Sequence, residues 1–142
     1  MAEGILRDRV RRLGLHWEVD SAGTSDLRIG QPPDPRAIEE AARHGIDISG
    51  KISRLFEPAD FDRFDLIIAL DRSVEQTLRE LAGEEQMYQD KIHLLTEYST
   101  QYRNQDVPDP FVQGGFDVVY EMLDESIDGL IEAFEPHFIA DA

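Results

Sequence analysis

Asp109 sits between two prolines, Pro108 and Pro110, and Phe111 follows them. The proline after it biases Asp109 towards extended backbone, which holds a carboxylate in one direction. A carboxylate held that way beside an aromatic ring can give a proton to a bound reactant or take one. The same residues can equally form a proline-bracketed turn with no chemistry. Asp71 is the second acidic residue in a telling place, directly after an apolar run. It could accept a phosphoryl group, as in a response-regulator receiver, or cap the helix that follows. The receiver reading needs an acidic pair after an earlier strand to hold a metal, and Asp20 stands there alone, so capping is preferred.

Other chemistry-bearing patterns fall short. Residues 45–52 nearly match a phosphate-binding loop, but Ile52 stands where a metal-binding hydroxyl belongs. That loop should also follow a strand, and this one follows a helix pattern. His16, His44, His93 and His137 are scattered without metal-ligand spacing. His44 falls at a helix C-terminus, where a cation is favoured. The 142 residues contain no cysteine, which removes disulfides, thiolate metal sites and thiol nucleophiles from this chain.

The elements around these residues follow from periodicity. Residues 1–13 read as a helix closed by Gly14. Residues 17–21 read as a strand entering a small-residue loop over 21–25. Asp34 caps and Pro35 opens a second helix, with Gly45 just past its end. Residues 48–56 read as a loop with a brief strand or turn, and 58–61 as a helical turn. Residues 64–70 form the clearest strand, continuously apolar as expected of a parallel strand covered on both faces. Val74, Leu78 and Leu81 mark the next helix, and 92–95 a short buried strand. A polar loop spans 98–115, with Tyr98 and Tyr102 exposed. Phe116, Val119, Tyr120, Leu123, Ile127, Leu130, Ile131 and Phe134 trace one stripe of a helix about 20 residues long. Helices alternating with buried strands predict a single α/β domain over 1–142, a sandwich around a parallel sheet. Three strands and an uncapped first helix lead us to expect a further strand before Met1.

A net charge of −16 opposes nucleic acid and anionic membranes as partners. It also repels phosphorylated substrates at long range, so a phosphate site needs its own local positive field. No run approaches the 18 or so apolar residues of a membrane span. Residues 1–13 are amphipathic and charged, unlike a secretory signal, so a cytoplasmic protein is expected.

Taken together, the chain resembles the low-molecular-weight protein tyrosine phosphatases. The resemblance rests on residues 20–24 (DSAGT), 32–36 (PPDPR), 61–71 (FDRFDLIIALD) and 109–111 (DPF), in order and spacing. It implies a flavodoxin-like sandwich with a four-stranded parallel sheet, no cofactor, and a phosphotyrosine-bearing protein or small aryl phosphate as substrate. It implies that Asp109 is the general acid and that Phe111 stacks on the substrate ring. Leu27 falls on the opposite wall, where many members carry an aromatic residue. Ser21 would support the phosphate loop by a hydrogen bond, and Gly50 falls where some members place a histidine in that network.

The family's C-x5-R loop, with its thiolate nucleophile and arginine, precedes a Met-Ala-Glu-like stretch, and Met1 begins this chain with that stretch. The sequence reading therefore expects the first strand and that loop to be missing, through a late start-codon assignment. The 142-residue chain is then expected to be inactive, and either of low stability or self-associating through exposed strand edges. The alternatives are a non-catalytic acidic α/β binding domain, an arsenate reductase, and a phosphoarginine phosphatase on the same fold.

Overall fold

The computed structural model describes residues 1–25, 29–109 and 115–134. The chain divides into two compact units, one formed by 1–56 with 109–121 and the other by 57–108 with the C-terminal remainder.

The first unit opens with α1, Ala2–Leu13. Gly14 closes it in the left-handed conformation (φ 68°), and the Leu15 N–H reaches back to the Val10 carbonyl at 3.0 Å. Helix α2, Pro35–Arg43, starts as the sequence predicts: the Asp34 carboxylate accepts the Arg36 N–H at 2.8 Å, and proline occupies the first turn. His44 caps its far end, 3.1 Å from Glu40, and stacks on Tyr120 at 3.7 Å between ring centroids. Among the described residues, Ile5, Val10, Ala37, Ala41, Ile46, Ile48 and Val119 are the buried aliphatics of this unit.

The strand expected over 17–21 does not form. Leu15, Trp17 and Val19 are half-buried while His16, Glu18 and Asp20 are exposed, so the alternation is real. Alternation records which side is covered, whereas a strand also needs a ladder. Among the described residues that ladder reduces to one parallel bridge, Gly23 to Leu55. There Gly23 N–H donates to Arg54 and Phe56 N–H donates to Gly23, both at 2.8 Å.

The second unit carries the sheet. After α3 (Asp60–Arg63) comes β1 (Ile67–Ala69), then α4 (Arg72–Ala82), the short α5 (Gln86–Gln89) and β2 (Ile92–Leu94). The two strands are parallel, with Ile67 opposite Ile92 and Ala69 opposite Leu94. Both predicted strands are present but shorter than 64–70 and 92–95. Phe64 ends α3, and Leu95 starts a 3-10 turn, Leu95–Tyr98. Helix α6, Phe116–Phe134, follows.

The predicted loop over 98–115 is more ordered at its start than its polarity implies. Glu125 of α6 accepts from the Ser99 hydroxyl, from the Thr100 hydroxyl at 2.9 Å and from the Thr100 N–H at 3.0 Å. Tyr98 and Tyr102 are half-buried rather than exposed. Tyr98 packs edge-on against Phe134, and burial, with Glu97 adding to it, raises its hydroxyl to about 12.

Gly129 on α6 has no room for a side chain, since a Cβ there would lie 1.9 Å from the Tyr98 carbonyl oxygen. Gly129→Ala is expected to lower stability by about 1–3 kcal/mol through overpacking. Gly50→Ala, which would meet no atom within 4 Å, should leave the urea midpoint unchanged. Equal midpoints for the two variants would show that the close approach carries no energy. Partial burial works to raise the Glu125 carboxyl, but its bonds to Ser99, Thr100 and Gln101 outweigh it and hold the group below its ordinary 4.5. Its contribution is therefore full above pH 4.5 and disappears as pH falls through the lowered folded value. The stability gap between wild type and Glu125→Gln should close on acidification over that range. A gap that is constant with pH would contradict this.

Candidate functional site

The segment leading to Asp109 is anchored at the carboxyl end of the two strands. Val107 N–H donates to the Leu70 carbonyl at 2.9 Å, just past β1. The fully buried Thr96 hydroxyl, just past β2, donates to the Gln105 carbonyl. Asn104 N–H donates to the Thr96 carbonyl at 3.2 Å. Asn104 itself takes φ 60°, a left-handed conformation that asparagine tolerates better than most residues. In open α/β sheets ligands collect beyond these strand ends. Asp109 is exposed, two residues past the buried Val107.

Asp71 takes the capping role expected of it: its carboxylate accepts the Val74 N–H at 2.8 Å. The 45–52 stretch does not build a phosphate loop. Gly45 ends the turn after α2 with φ 78°, and no helix starts after Lys51.

In the first unit, a cavity of about 410 Å³ is lined by Glu3, Ser21, Pro32, Pro33, Ile48 and Lys51 among others. The Ser21 hydroxyl donates to Glu3 Oε1 at 2.6 Å. Glu3 is buried, and its Oε2 lies 2.7 Å from Lys51 Nζ and 2.9 Å from Arg7 Nε. These are close ion pairs rather than aligned hydrogen bonds. Asp20 pairs with Arg54 at 3.1 Å. Burial pushes the Asp20 carboxyl up, but the Ser21 N–H, Arg54 and Lys51 together bring it below its ordinary value.

A family model described as low molecular weight phosphotyrosine protein phosphatase matches residues 1–137. The chain belongs to this phosphatase family. It is 33% identical over 139 residues to the low molecular weight protein-tyrosine-phosphatase YfkJ of Bacillus subtilis, covering 95% of this chain and 86% of the relative. The crystal structure of YfkJ superposes with a TM-score of 0.88, covering 96% of this chain and 86% of that one. A protein tyrosine phosphatase from Entamoeba histolytica, with Hepes in its active site, gives 0.87 at 28% identity, covering 96% and 88%. The drosophila arginine phosphatase DARP gives 0.84 at 29% identity, covering 94% and 88%.

Among the residues that the resemblance assigned to the phosphatase site, Ser21 is placed at the cavity with Glu3 and Lys51. Asp109 is placed after the anchored 104–107 segment. Leu27 and Phe111 lie outside the described residues. Gly50 borders open space. The sequence reading missed Glu3 and Lys51. Lys51 lay inside the rejected 45–52 pattern, and Glu3 stood out only as part of the opening Met-Ala-Glu stretch. Among the described residues no three histidine, aspartate or glutamate side chains gather as a metal site. None of the described helices is long and apolar enough to cross a membrane.

Glu3 accepts the Ser21 hydroxyl and pairs with both Arg7 and Lys51, so its loss strands several groups at once. Glu3→Ala should destabilise the phosphatase fold by about 1–3 kcal/mol. Lys51→Ala removes one half-exposed partner and should lose under about 1 kcal/mol. Chemical denaturation compares them, and a larger loss for Lys51→Ala would reverse the assignment of Glu3 as the hub.

Proposed function

We propose that this chain carries the acid half of a phosphotyrosine phosphatase site, with Asp109 as the general acid. The observation that supports this most is the family match across 1–137, which takes in the DPF stretch from Asp109. In the proposed reaction, a thiolate attacks phosphorus and the bond to the aryl oxygen breaks. Asp109 gives its proton to that leaving oxygen. Water then attacks the phosphocysteine, Asp109 takes the water's proton, and inorganic phosphate leaves with the thiolate restored.

The thiolate is not among these 142 residues, which contain no cysteine. We therefore propose that the 142-residue chain does not turn over aryl phosphates. A chimera that adds a strand and C-x5-R loop of the phosphatase family's pattern ahead of residue 1 should do so. In that chimera Asp109→Asn should lower kcat for phenyl phosphate by about 10²–10⁴. Turnover by the 142-residue chain would overturn the missing-nucleophile reading. An unaffected Asp109→Asn chimera would overturn the acid assignment.

One observation favours a second substrate. DARP, named an arginine phosphatase, is a structural neighbour, and Leu27 offers no aromatic wall. The same chimera assayed on a phosphoarginine peptide and a phosphotyrosine peptide separates the two readings by kcat/KM.

A further inference from the structure

We propose that Asp106 is a positioning residue for proton transfer, fixing the segment that carries Asp109 by capping α4 from a distance. This rests on Asp109 being the general acid. The first N–H groups of a helix have no partner within it. At α4, Asp71 takes the Val74 N–H from the adjoining position, which holds only the helix. Asp106 takes the Arg72 N–H at 3.0 Å from 34 positions away, which ties a loop to the helix. The Arg72 side chain grips the same loop. Its guanidinium lies 3.5 Å from Asp106 Oδ1 and donates to the Asn104 carbonyl. Residues 104 and 106 are thus held by one arginine, and Val107 is held by Leu70.

Asp109 follows three residues after Asp106, with Pro108 restricting the backbone between them. Only two residues of chain, one of them proline, therefore lie between the anchor and the acid. The Arg72 and Asp106 side chains are 62% and 48% exposed, so the ion pair itself contributes little. The useful property of Asp106 is its acceptor geometry, and asparagine shares that property. This separates positioning from charge.

The test has two arms. In the 142-residue chain, Asp106→Ala should speed amide hydrogen exchange at Arg72 and Val107 about tenfold, leave 92–94 unchanged, and be largely corrected in Asp106→Asn. In the chimera described above, kcat/KM reports only the steps through departure of the aryl oxygen, so in that quantity a misplaced acid should matter only where the leaving oxygen needs a proton. Asp106→Ala should lower kcat/KM on phenyl phosphate about 10²-fold. It should leave dinitrophenyl phosphate nearly unchanged, and Asp106→Asn should recover most of the loss. Unchanged exchange at Arg72 and Val107, or equal losses on both substrates, would overturn the proposal. If Asp109→Asn also lacks the leaving-group dependence, the acid assignment falls and positioning falls with it. If Asp109→Asn shows that dependence and Asp106→Ala does not, only the positioning role falls.

Discussion

The start of α4 imposes the constraint around which the second unit is arranged. A helix beginning directly after a buried strand leaves N–H groups that the helix itself cannot satisfy. Asp71 meets part of that need from the chain itself, and Asp106 meets another part from a remote segment. The Leu70 carbonyl, at the same corner, accepts from Val107. One turn of backbone thus fixes where β1 stops, how α4 leaves, and where the approach to Asp109 must run. Thr96 at the end of β2 completes the arrangement from the neighbouring strand.

Electrostatics work against this chain as a receptor for phosphate. Its net charge is −16. At the first unit's cavity, Lys51 stands against Glu3 and Asp34, so the lining side chains supply no excess of positive charge. Long-range attraction of a dianion is not available from such a surface, and salt screens the remainder within about 10 Å. Recognition must come from short contacts made after encounter.

Local signals were read well from the sequence. Asp34, Asp71 and Gly14 do at helix ends what their types predict, and the apolar runs in 64–70 and 92–95 contain the two strands. The failures share a physical cause. Residues 17–21 alternate as a strand does, but alternation carries no information about a hydrogen-bonding partner. The four-residue α5 has neither a side-chain cap nor a buried residue to announce it. The start of the 98–115 loop is ordered by Glu125, about 25 positions away. Asp106 and Glu3 likewise act through partners distant in sequence. Asp109 was legible because two prolines and a family pattern mark it, whereas the residues that hold its approach carry no local mark.

Gly129 has a consequence of a different kind. Helix surfaces are nearly periodic, so a helix can slide along a neighbour by a turn and find similar apolar contacts. Here the Tyr98 carbonyl occupies the space of an absent methyl group. Sliding α6 by a turn would bring the Cβ of Glu125, Ser126, Glu132 or Ala133 into that space. The helix therefore has one seat, set by a notch rather than by its greasy stripe. The spacing between Gly129 and Glu125, which binds the chain just after Tyr98, works as a fixed gauge within this unit.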